Sequence, residues 1–127
     1  MVSNSKLKEA IRAKTETEEI DFKESFDNSS TQDWCEIVKD LVAISNSGDG
    51  AIIFGVTDNG SVVEGNFDHI FKIDPAVITD KIDKYTGVQM GGFQLKKLPF
   101  QEDTLPELKT YLLPVLHVPP SRVSSSF

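Results

Sequence analysis

Soft metal ligands are scarce in this chain of 127 residues: one cysteine, Cys35, and two histidines, His69 and His117, far apart in sequence. An internal disulfide is therefore impossible, and a cysteine-based zinc site is excluded. A lone thiol suits a reducing compartment, so a cytoplasmic location is expected. Long apolar runs are missing too. Nothing approaches the roughly 20 residues of a membrane span, and no apolar stretch follows the lysines of the opening MVSNSKLKEAIR as a secretory signal would require. A basic excess is also absent, since Lys+Arg 13 against Asp+Glu 20 leaves a formal charge of −7. Proteins that bind nucleic acid by neutralising phosphates usually carry the opposite balance. Finally, Gly48-Asp49-Gly50 lacks the Gly-Lys-Ser/Thr of a phosphate loop, and no Gly-x-Ser-x-Gly elbow occurs, which disfavours nucleotide hydrolysis and serine-hydrolase chemistry.

What is present is enough apolar material for one modest core: 39% hydrophobic residues, eight of them Phe. The length is that of one domain, expected over residues 1–121, with 122–127 as a flexible tail. The acidity is uneven. Residues 1–64 hold 6 basic and 13 acidic side chains, a balance of −7, whereas residues 65–127 balance at 0. Such a cluster is either solubilising surface or a set of carboxylates that a divalent cation would neutralise.

Leu7 and Ile11, four apart among good helix formers, predict a short helix over residues 5–11. Glu19 to Lys23 alternate strictly, Ile20 and Phe22 on one face and Glu19, Asp21 and Lys23 on the other, as a half-buried strand does. Ser30, with Asp33 three residues on, opens a run in which Trp34, Ile37, Val38, Leu41, Val42 and Ile44 recur at helical spacing, so the main core helix is expected over 32–46. Cys35 is expected to be a small buried hydrophobe within it. After the glycines at 48 and 50, Ala51 to Val56 reads as a central strand buried on both faces. Asn59-Gly60 then suggests a hairpin turn into Ser61-Val62-Val63. Asp74-Pro75 starts a further helix marked by Val77, Ile78, Ile82 and Tyr85 and closed by Gly87. Strands around Gly92–Leu98 and Thr110–Val118, joined by a polar loop at 101–107, complete the sheet. Pro114 marks the last strand as an edge or a bulge. The expected fold is α+β: a mixed sheet of four to six strands flanked by about three helices, with one continuous core.

Three stretches, taken in order, carry chemistry: Glu16 to Ser25, with Ile20-Asp21-Phe22-Lys23-Glu24-Ser25 at its end; Ala43 to Gly50; and Ile53-Phe54-Gly55-Val56-Thr57-Asp58-Asn59-Gly60 running on to Gly65. The ordered set, with the late Val118-Pro119-Pro120-Ser121, resembles the Schlafen AlbA_2 domain family over about residues 16–121. The family pattern is an acidic residue, four residues, then Glu-Phe-Lys-Glu-Ser; a helix ending Ala-Asn-Thr-x-Gly-Gly; and a strand Leu-Ile-Gly-Val-Asp-Asp-x-Gly. The resemblance implies a nucleic-acid-binding, transcription-regulator-type domain acting on DNA or RNA. It also implies an alternative, because some members cleave tRNA with two glutamates and an aspartate as a metal-dependent site. By position these fall on Glu16, Asp21 and Asp58, which would hold Mg²⁺ or Mn²⁺ and activate water at a phosphodiester. The chain departs from the pattern in three places: Asp21 is shorter than Glu by a methylene, Thr57 replaces the first Asp of the Asp-Asp pair, and Asp49 stands where a second Gly is usual.

Lys23 matches the strand lysine of the family and is expected to meet a phosphate. Lys96 and Lys97 are further candidates, and as neighbours on a strand they should point to opposite faces. Asp21 and Asp58 are expected to approach one another if their strands pair. A third possibility is a protein-interaction module. Because the family sets two such domains side by side, a homodimer is expected, through sheet edges or through Tyr111, Leu113 and Val115. No membrane contact is expected.

Overall fold

The computed structural model describes residues 1–102 and 109–121. Most of the expected polar loop and all of the expected tail thus lie outside the described residues. In chain order the elements are α1 (Asn4–Ala13), β1 (Ile20–Lys23), α2 (Thr31–Ser47), β2 (Gly50–Phe54), α3 (Asp68–Phe71), α4 (Pro75–Thr86), β3 (Gln94–Gln101) and β4 (Thr110–Val118). The sheet is mixed and four-stranded in the order β1-β2-β4-β3, with β1 parallel to β2 and the other pairs antiparallel. The fold is the α+β arrangement expected, with one additional single-turn helix, α3. No helix among the described residues is long and apolar enough to cross a membrane.

Local chemistry places the helix ends. Ser3 accepts from the Lys6 N–H at the start of α1, Ser30 accepts from the Asp33 N–H at the start of α2, and Asp74 accepts from the Ala76 N–H ahead of Pro75 in α4. Each satisfies a donor that the helix itself leaves unpaired.

All five β2 residues are buried, as a central strand with both faces covered requires. The sheet divides the core in two. Ile52 and Phe54 face α2 and α4, packed with Trp34, Leu41, Ile82 and Leu116. Ala51 and Ile53 face α1, packed with Leu7, Ile11, Phe22, Leu98 and Val115. The expectation of one continuous core is corrected accordingly: strand alternation sends neighbouring side chains to opposite layers.

Four other expectations change. Cys35 is exposed, because α2 buries the stripe Trp34, Ile37, Val38, Leu41 and Ile44 and position 35 is turned about 100° from Trp34. Val77 is likewise exposed, and Ile78 and Ile82 face the core. The Asn59-Gly60 turn leads to one isolated bridge, Val56 to Val62, rather than a paired strand. Pro114 sits in β4, which is flanked on both sides. The ladder with β2 stops at Ile53 opposite Val115, one residue before the proline. Pro114 opposite Lys97 and Pro99 opposite Leu112 are both on the β3–β4 ladder. A proline cannot donate, so these are the non-hydrogen-bonded pairs of that ladder. Pro99 therefore turns its missing donor to the outer edge of β3, and Pro114 turns its own to the side that β2 has vacated.

Candidate nucleic-acid interface and the carboxylate cluster of β1

Strand alternation fixes where the charges of β1 go. Ile20 and Phe22 are buried in the α1 layer, and Asp21 and Lys23, in register with Ile52 and Phe54, face α2. There the Lys23 Nζ lies 2.5 Å from Asp40 Oδ2, on α2, and 3.5 Å from Asp21 Oδ2. The side chains of Lys23 and Asp21 are only 27% and 23% exposed. Asp21 Oδ2 is buried and, at 3.5 Å, its contact with the ammonium is a longer and weaker one than that of Asp40.

Burial pushes the Asp21 carboxyl up to about 7, helped by a hydrogen bond with the Glu16 carboxyl and by the charges of Asp40 and Glu16, against the opposing pull of Lys23. Asp21 therefore holds a proton near neutrality far more readily than an ordinary aspartate. For Lys23, burial disfavours the charged form, but the hydrogen bond to Asp40 and the charges of both aspartates prevail and raise its pKa. Its ammonium is thus paired with both aspartates.

Glu16 itself is exposed, yet its Oε1 accepts from the Phe22 N–H at 3.0 Å. Beside it, Thr17 donates its N–H to the Ile20 carbonyl and accepts from the Ile20 N–H through Oγ1, both at 3.0 Å. Together they close the outer edge of β1 where a further strand would otherwise bind. Asp58 stands exposed in the turn from Thr57 to Gly60, with no ion pair or hydrogen bond of its side chain among the described residues. Gly60 has φ +81°, and a Cβ there would come 2.5 Å from Lys14 Cα. The turn is thereby seated against the end of α1, next to the segment that carries Glu16.

Glu16 and Asp21 therefore meet, and Asp58 lies in a neighbouring turn. Among the described residues, no three His, Cys, Asp or Glu side chains are arranged to hold a metal ion. Asp21 also finds its counter-charge in Lys23. In this arrangement the three carboxylates do not fit the divalent cation that the resemblance implies.

Lys96 and Lys97 point to opposite faces, as expected. Lys96, opposite Val115, is on the α1 face, and Lys97 reaches the α2 side, where its Nζ lies 5.5 Å from the Phe71 ring centroid. Lys97 shares a face with Lys23 at opposite margins of the sheet, three strand spacings or about 14 Å apart. Asp40 escaped the sequence reading. Its one signal is a carboxylate set between the buried positions 38 and 41 of α2, where a solvated charge is out of place. His117 is buried in the sheet. That burial, with the nearby Lys96 and N-terminal charges, pushes its pKa down.

Fold and site define an α+β domain whose mixed sheet ends in an edge strand closed by polar side chains of the segment that leads into it, with a half-buried charge cluster beneath α2. The Schlafen AlbA_2 family model matches residues 16–123, and the chain belongs to that family, a nucleic-acid-related one. The match begins after α1. No curated protein matches the chain.

Proposed function

We propose that this domain binds nucleic acid as a regulator-type module and does not cleave it. The observation that supports binding is the state of β3. Its two lysines are exposed on an edge strand and make no ion pair with any described carboxylate, in a chain whose net charge is −7. Cations left unpaired in an acidic protein make a local site for phosphates. The reading of binding without cleavage rests on Asp21, which is engaged by Lys23 and Glu16, and on the lack of any three-carboxylate cluster among the described residues.

Fluorescence anisotropy with short single-stranded DNA, duplex DNA and tRNA, at low salt and with or without Mg²⁺ or Mn²⁺, tests this. Binding to at least one probe, weakening as salt rises, is expected. No binding to any of them ends the proposal. Cleavage of tRNA in Mn²⁺ that is lost in Asp58→Asn would replace it with the ribonuclease alternative.

A further inference from the structure

The strongest unassigned feature is a run of cations along the seam between α1 and β3, largely outside the residues that carry the family. In α1 the buried stripe is Leu7, Ala10 and Ile11. Lys8 and Arg12, four apart, therefore share one flank, with Cβ atoms about 6 Å from each other. Arg12 identifies that flank as the one toward β3, because its guanidinium lies 5.4 Å from the centroid of Phe100. Lys6 occupies the other flank and pairs with Glu19 near β1. Lys14 ends the helix at φ 55° against Gly60. Ile11, Arg12, Lys14, residues 60–62, Phe100, Gln101 and Glu102 enclose a groove of about 450 Å³ at that end. At the other end Lys96 reaches the same layer from β3, close enough to disfavour the protonated form of His117. Lys8, Lys14 and Lys96 have no carboxylate partner among the described residues. Among the described residues, Glu102 lines the groove, Glu9 neighbours Arg12 one turn earlier in α1, and Glu16 and the Asp58 turn lie beside Lys14.

We propose that Lys8, Lys14 and Lys96 form the strip that takes the phosphodiester backbone, with the groove beside Arg12 and Phe100 at its end. This rests on the nucleic-acid-binding reading above and moves the contact surface away from Lys23. The dimensions suit the ligand. The 10 residues of α1 span about 15 Å at 1.5 Å per residue, and a duplex strand passes one phosphate per about 3.4 Å of axis, so about four phosphates lie along the seam.

The test compares wild type with Lys8→Glu/Lys14→Glu and with a charge-matched control, Lys39→Glu/Lys72→Glu, whose lysines are exposed on α2 and just after α3. Circular dichroism establishes that each variant is folded. Labelled duplex DNA and tRNA are titrated over a salt series. The strip predicts a loss of about tenfold or more for the α1 pair, a salt slope reduced by about two, and a change under about threefold for the control. If wild type binds and the α1 pair binds as well as wild type, or no worse than the control, the strip is overturned and the function stands. If wild type binds neither probe, the function fails and the strip with it.

Discussion

Asp21 carries an ionisation cost that its neighbours only partly offset, and that cost has a sign in pH. Its folded-state pKa is about 7 against an ordinary 3.8, so the folded protein holds more protons than the unfolded chain between those values. Its contribution to stability is therefore fully present below about pH 4, is lost as pH rises through about 7, and is flat beyond. Asp21→Asn should melt with wild type near pH 4 and above it at pH 8, with the difference opening across that window in thermal denaturation. A difference that does not change with pH would show that the carboxyl titrates normally. Glu16 is separable from this by shape. Glu16→Gln keeps an oxygen for the Phe22 N–H and should stay within about 0.5 kcal/mol of wild type, whereas Glu16→Ala opens the edge of β1 and should lose about 1 kcal/mol in urea denaturation. Equal losses in the two would mean that the negative charge, not the acceptor, matters. Lys23→Ala should cost about 1–2 kcal/mol, since it leaves Asp21 and Asp40 half-buried together without their cation.

At the level of elements, the turn from Thr57 to Gly60 and the end of α1 stand or fall together. A side chain at position 60 would meet Lys14 at 2.5 Å and would have to adopt φ +81°. Gly60→Ala should therefore destabilise by about 2 kcal/mol or more. The loss should appear in hydrogen exchange of α1 as well as in the turn, and exchange raised in the turn alone would show that the two are uncoupled. The elements themselves were largely legible. Alternation in Ile20-Asp21-Phe22-Lys23, the helical stripe from Trp34 to Ile44, the apolar run of β2 and the Asp74-Pro75 start all announce their structure through local chemistry. The single turn α3 did not, being too short for a period, and Asn59-Gly60 marked its turn but not how little pairing would follow. At the site, the faces of Asp21, Lys23, Lys96 and Lys97 followed from period 2. The salt bridge to Asp40, the edge closure by Glu16 and the crossing of Arg12 over Phe100 did not, because each joins residues whose proximity depends on how a helix or loop crosses the sheet.

Taken as a whole, the molecule offers less for self-association than its sequence suggests. Leu113 and Val115, expected as an uncovered apolar face, are buried beneath α1, and Tyr111 packs partly against the same cluster. The outer edge of β1 is closed by Glu16 and Thr17, and the outer edge of β3 carries Pro99, which withholds a donor, beside exposed lysines that repel a second copy of the same edge. Of the described residues only Met1, Val77 and Leu112 are large hydrophobics that are substantially exposed, and they lie on separate elements. Scattered singly, such residues give no contiguous apolar patch among the described residues for a second copy to bury. Light scattering at tens of micromolar, an order-of-magnitude choice above ordinary dimer affinities, should give a mass near 14.1 kDa. A mass near twice that would restore the homodimer and would direct attention to a strand side that no described strand pairs with, the segment of β4 before Pro114, where β2 has ended and Leu112 is 47% exposed. Leu112→Lys would then be expected to return the protein to a monomer.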